Sequence, residues 1–245
     1  MRTLKLTLAY DGTRFVGWQR QGEGESIQGL LEDTLARFEG RPVTVQGAGR
    51  TDAGVHALGQ VASARVTFAH PAATLVRAIN AHLPPEIRVL SVEDAAPDFH
   101  ARFSARSKTY RYVIRNVPVS DPFDRQYVWH LPEPLALGPM REAAAMLVGR
   151  HDFAAFRSVG AEVATTVRTM TRSEWRESDG VLTYEIAGDG FLRHMVRAIV
   201  GTLVEIGRGW RPPQEVQSLL RGGRRADAGA TAPPHGLFLL RVDYD

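Results

Sequence analysis

At 245 residues, with 44% hydrophobic and 23% charged side chains, the chain has the makings of one large or two modest folded domains, not of a disordered polymer. It contains no cysteine, which excludes disulfide frameworks, zinc ribbons, iron–sulfur clusters and every thiol mechanism. The formal charge is only +3, but of the 30 basic residues just Lys5 and Lys108 are lysine and the rest are arginine. Arginine's planar fork suits phosphates and base edges, although biased genomic composition explains that count equally well.

The opening Leu4, Leu6, Leu8 and Tyr10 share one face at period two, which predicts a half-buried strand and not the solid apolar core of a secretory leader. Asp11-Gly12 reads as a turn, followed by a polar loop to Glu25. Ser26 caps a predicted helix that turns Ile27, Leu30, Leu31, Leu35 and Phe38 inward and stops at Gly40 and Pro42. Strands are predicted at Val43–Gln46 and Gln60–Val66, a helix from after Pro71 to about His82, and a strand near Arg88–Val92.

Tyr110, Tyr112 and Ile114 alternate with Arg111, Val113 and Arg115, the pattern of a strand. A Pro-rich connection leads to a helix near Pro139–Val148, then strands around Thr166–Arg176 and Val181–Ala187. A long helix is expected from Phe191 to Ile206, a shorter one from Pro213 to Leu220, and a last strand at Leu237–Val242. No stretch has the eighteen or so apolar residues of a membrane helix. Strands and helices mix without a βαβ rhythm, which favours an α+β fold in two similar halves, 1–105 and 106–245.

Several chemistries are absent from the sequence. Neither lysine follows the GxxxxG spacing of a P-loop, no GxGxxG opens a helix, and no GxSxG, HExxH or EF-hand loop occurs. The eight histidines lack metal-ligand spacing. Neither a cofactor nor a metal is expected.

Three features carry chemistry. The densest is GAGRTDAGVHA, Gly47–Ala57, where Arg50, Thr51, Asp52 and His56 stand among glycines that allow close approach or positive φ. A carboxylate beside arginines stays ionised, so Asp52 is a candidate nucleophile or base; the alternative is a polar turn in which Asp52 caps its own backbone. In GDGFLRHMVRAIVG, Gly188–Gly201, a helix would make Arg193 and Arg197 repelling i,i+4 neighbours, relieved by an anion between them or by solvation apart. In SKTYRYVIR, Ser107–Arg115, Tyr110 either stacks on an exposed base or packs in a core. Arg102, Arg106, Lys108, Arg111 and Arg115 form a basic stripe without an acid between Ala101 and Asn116, which suits a polyanion. RGGRR, Arg221–Arg225, reads as a solvated loop.

Taken in order, YDGTRFVGWQRQ, SIQGLLE, GAGRTDAGVHA, FHARFSARSKTYRY, GRHDFAAF, FLRHMVRAIVGTLVEIG and APPHGLFLLRV closely resemble the TruA-type pseudouridine synthase family, from Tyr10 to Val242. The resemblance implies two α+β halves with antiparallel sheets flanked by helices and an active-site cleft between them. It implies a cytoplasmic, cofactor-free homodimer that isomerises uridine to pseudouridine at positions 38, 39 and 40 of the tRNA anticodon arm. By the same resemblance Asp52 is the catalytic aspartate, Tyr110 contacts the substrate base and Arg197 is the basic partner of the aspartate. Arg50 belongs to the same motif and Leu237 walls the pocket. Arg193 carries over less safely than Arg197. A silent RNA-binding protein would not require the carboxylate, and a glycosidase would want a second carboxylate roughly 5–9.5 Å away, which no motif supplies.

Overall fold

Leu4, Leu6 and Leu8 lie buried on one face of β1 (Arg2–Tyr10), as their alternation requires. In the computed structural model, which describes residues 1–158 and 163–244, β1 is followed by α1 (Ile27–Glu39), β2 (Val45–Gly47), β3 (His56–Val66), α2 (Ala72–Asn80) and β4 (Ile87–Ala95). Next come β5 (Ser107–Arg115), β6 (Trp129–His130), α3 (Leu137–Ala145), β7 (Gly149–Asp152) and β8 (Val167–Ser178). The order ends with β9 (Val181–Gly188), α4 (Met195–Gly207), α5 (Glu215–Leu220) and β10 (Leu237–Asp243). The chain forms two compact units, Met1–Arg106 with Phe238–Asp245, and Ser107–Leu237.

In the first unit β1 pairs antiparallel with both β3 and β4. β2 pairs antiparallel with β3 opposite Ala62–Ala64, and β10 pairs parallel to it, with Phe238 and Leu239 opposite His56 and Ala57. The last strand of the chain thus belongs with the first half of the sequence. α1 starts where Ser26 Oγ accepts the Gly29 N–H at 3.1 Å and ends at Gly40, whose φ of 73° lets its N–H bond the Ala36 carbonyl. Its Ile27, Leu31 and Leu35 are buried.

In the second unit β5 pairs antiparallel with β9, β9 with β8 and β8 with β7, while β6 adds a short parallel pairing to β5. Tyr110, Tyr112 and Ile114 stand in register with Ile186, Tyr184 and Leu182, all buried. α3 packs against α4 and β8. Both units are α+β with antiparallel sheets, apart from the two short parallel pairings.

α4 begins four residues later than its apolar periodicity suggests. His194 takes a left-handed conformation, φ 61° and ψ 3°, so the helix starts at Met195. Leu192 is buried all the same, so the apolar pattern runs on through the turn. Arg193 stands before the helix, and the i,i+4 repulsion expected between Arg193 and Arg197 does not arise.

Candidate active site

The loop that carries Asp52 leaves β2 at Gly47 and enters β3 at His56. Ala48 N–H bonds the Val61 carbonyl at 2.7 Å as the loop departs, and Trp18 N–H bonds the Thr51 carbonyl at 3.0 Å further along. A buried side-chain network holds its middle. Gln60 Nε2 donates to the Gly49 carbonyl at 2.8 Å and to the Tyr10 hydroxyl at 3.3 Å, and that hydroxyl lies 2.9 Å from Thr51 Oγ1. Burial pushes the Tyr10 phenol up to about 12, against the opposing pull of its bonds to Thr51 and Gln60. It therefore stays protonated and can serve as a neutral strut.

The glycines of the loop serve packing and turning. The Trp18 indole occupies the place a side chain at Gly47 would need, and Gly54 turns the chain with φ 75°. The turn is closed by its main chain, Val55 N–H to the Asp52 carbonyl at 3.1 Å. Asp52 itself is half-buried and Arg50 exposed, so the carboxylate of the expected aspartate stands at the rim of the loop. His56, buried at the start of β3, accepts the Gly12 N–H on Nδ1 at 3.0 Å and stacks on Phe238.

The other expected residues lie in the second unit. Tyr110 on β5 is 7% exposed and meets Phe191 edge-on, with ring centroids 4.8 Å apart. Arg197, in the first turn of α4, donates from Nε to the Ala232 carbonyl at 2.8 Å, and its own carbonyl accepts the Ala232 N–H at 3.0 Å. Tyr112, two residues along β5 from Tyr110, donates to the Pro233 carbonyl at 2.8 Å. Burial raises the Tyr112 hydroxyl well above the ordinary tyrosine range, and the charge of Arg197 opposes that rise. The segment around Ala232–Pro233 is thus fastened both to α4 and to β5. Leu237, just beyond it, is buried.

The basic stripe is not uniform. Arg111 donates from Nε and Nη2 to a single oxygen of Glu185 (3.0 and 2.7 Å), whose other oxygen pairs with Arg172, and Arg115 pairs with Asp124 at 2.6 Å. Those charges brace the sheet. Among the described residues Arg102 and Arg106 have no such acid partner. The struts Tyr10 and Gln60 escaped the sequence reading, because their alternation assigned them only to strands. Among the described residues no group of three or more His, Asp or Glu side chains is placed to hold a metal ion, and no helix is long and apolar enough to cross a membrane.

A rigid polar loop presenting a carboxylate is the equipment of an enzyme, and comparison gives the class. Residues 7–104 and 143–245 match the family described as tRNA pseudouridine synthase, and the chain belongs to that family. It is accordingly an isomerase. A protein of Syntrophotalea carbinolica named tRNA pseudouridine synthase A is 46% identical over 244 residues, covering 100% of this chain and 97% of that one. Proteins of the same name from Geobacter sulfurreducens and Pelobacter propionicus are 45% and 44% identical, each covering all of both chains. Among solved structures, a Cbf5-Nop10-Gar1 complex matches at 10% identity and a TM-score of 0.32, over 82% of this chain and 54% of that chain.

Proposed function

We propose that the protein converts uridine to pseudouridine at positions 38, 39 and 40 of the tRNA anticodon stem-loop, with Asp52 as the catalytic nucleophile and no cofactor. The reaction needs none. The N1–C1′ bond breaks, the uracil turns, C5 bonds to C1′, and the proton on C5 is lost while N1 gains one. The single observation that supports Asp52 is its half-exposed carboxylate on a loop immobilised from below by Tyr10, Thr51 and Gln60. Such fixing supplies the orientation on which nucleophilic attack depends.

Tyr110 and Arg197 are the proposed substrate-binding side chains of the second unit, with Leu237 an apolar wall. Arg50, exposed beside Asp52, is the corresponding cation of the first unit. A stacked uracil must be turned out before its glycosidic bond can be reached, at a cost of roughly a few kcal/mol. Contact with an aromatic ring offsets much of that cost. A homodimer acting in the cytoplasm, where its tRNA substrate is found, completes the proposal.

The test is release of tritium from 5-tritiated uridine in tRNA. Asp52→Asn is expected to abolish release while leaving tRNA affinity within about threefold, because the amide keeps the shape and removes only the charge and the nucleophile. Turnover by that variant refutes the assignment. Mapping of pseudouridine in tRNA treated with the wild-type protein checks the three positions.

A further inference from the structure

The turn His100–Ser104 presents Phe103 to solvent at 76% exposure. This is not a loose loop. Ser104 N–H bonds the His100 carbonyl at 2.9 Å, and His100 N–H bonds Ser104 Oγ at 3.1 Å. The Arg102 and Phe103 amides both donate to His100 Nδ1, at 3.1 and 3.4 Å, which leaves the ring proton on Nε2. The imidazole lies against the phenyl ring, with centroids 4.4 Å apart and planes at 37°, and the Arg102 guanidinium carbon is 5.5 Å from the phenyl centroid.

The turn is also tied to the loop that carries Asp52. Ala101 is fully buried in a small cluster with Ala48, the first residue of that loop after β2, and Val61. Ala101 N–H donates to Ser63 Oγ at 3.1 Å, and its carbonyl accepts from the Tyr244 hydroxyl at 2.8 Å. An exposed ring held at a fixed height above a core shared with the candidate catalytic loop, flanked by the exposed Arg102 and Arg106, has the makings of a nucleobase platform. Stacking gives such a surface its affinity, and the two cations draw the phosphates on either side.

We propose that Phe103, backed by His100 and Arg102, stacks on an unpaired base of the bound tRNA other than the uridine that reacts. This rests on the reading of tRNA as substrate, and a base is favoured over a protein surface because both flanking charges are positive and, among the described residues, lack acid partners. Phe103 is a binding residue and takes no part in the chemistry.

The experiment measures steady-state kinetics on an unmodified tRNA transcript for Phe103→Ala, Phe103→Leu and Phe103→Trp in the full chain. With stacking worth what it is elsewhere, Phe103→Ala and Phe103→Leu raise KM about 5- to 150-fold. Their kcat at saturating tRNA stays within about twofold, since the transition-state contacts are untouched. Phe103→Trp keeps KM near the wild-type value, and the fluorescence of its added indole, taken as the difference from the wild-type protein, is quenched by an anticodon stem-loop RNA.

An unchanged KM in Phe103→Ala overturns the platform, and so does full rescue by Phe103→Leu, which supplies apolar area without a ring face. A smaller mass in solution for Phe103→Ala also overturns it, because the ring would then face a second copy of the chain. Wild-type protein that forms no pseudouridine in tRNA sinks the functional reading by itself. Indole quenching, which needs no turnover, still decides whether RNA sits on the ring.

Discussion

The hydroxyl of Tyr10 lies 2.9 Å from Oγ1 of Thr51, the residue immediately before Asp52. A strand residue more than forty positions away in sequence thus sets the height of the candidate nucleophile. The pair is buried and the phenol is held neutral, its pKa pushed up to about 12 by burial. Tyr10→Phe leaves Thr51 Oγ1 and Gln60 Nε2 each a partner short inside the protein, a deficit worth roughly 1–3 kcal/mol. The expected result is a lower urea midpoint together with a fall in kcat larger than any rise in KM, because the loop loosens before it detaches. Unchanged kcat with lost stability would show that the backbone bonds of the loop are enough to aim Asp52.

Much of the fold was legible because local signals agreed with one another. Leu4, Leu6 and Leu8 alternate and are buried, and Ser26 and Gly40 bound α1 where their chemistry says they should. What could not be read depended on distant partners. Nothing in Phe238 or Leu239 announces that they pair parallel to β3, a strand of the first half of the chain. β6 and β7 are too short, at two and four residues, to show an alternation. The left-handed turn at His194 hides inside an apolar rhythm that runs on through it. At the site, the sequence exposes the residues that crowd into one motif, Arg50, Thr51 and Asp52. It conceals Tyr10 and Gln60, which reach that motif only once β1 and β3 are paired.

Tyr110 separates two kinds of contribution. Its ring is buried against Phe191, and its phenol oxygen is the one group that Phe lacks. If ring contact with the substrate base is its work, Tyr110→Phe lowers kcat/KM for tRNA much less than Tyr110→Ala, which also opens a cavity costing roughly 3–5 kcal/mol of stability. Equal losses in the two variants, measured by tritium release with stability followed in parallel, would assign the role to the hydroxyl.

Acid stability has a traceable contributor in Glu39, at the end of α1. Its carboxylate accepts the Thr67 N–H at 2.8 Å, the Thr67 hydroxyl at 2.7 Å and the Phe68 N–H at 3.4 Å, and faces Arg41. These contacts, the Thr67 amide foremost, lower its pKa from the usual 4.5 to about 2. Between those values the unfolded chain binds the proton and the folded one does not, so stability rises with pH. The contribution is present above about pH 4.5 and is lost as pH falls toward 2. In urea titrations across that range Glu39→Gln should flatten the slope relative to the wild-type protein. A slope identical to wild type would mean the carboxylate is equally favoured in the unfolded state.

Gly201 lies in the middle of α4, where alanine is ordinarily the better residue by roughly 0.5–1 kcal/mol. Here the sign reverses. A Cβ at this position would run into the Ala230 carbonyl, in a segment that crosses the helix and is bonded to it by Gly229 N–H to Thr202 Oγ1 at 2.9 Å and by the paired contacts of Arg197 with Ala232. Overpacking of this kind costs about 1–3 kcal/mol, which outweighs the propensity gain. Gly201→Ala should therefore lower the melting temperature and, by pushing Ala232 away from Arg197, reduce kcat/KM for tRNA as well. Gly22→Ala is the control, since this exposed loop glycine has no positive φ and has open space where the methyl would go. It should leave activity alone and raise the melting temperature slightly. Two glycine-to-alanine changes of opposite sign are what close backbone approach demands, and a stabilised, fully active Gly201→Ala would show that the segment carrying Ala230 yields without disturbing Arg197.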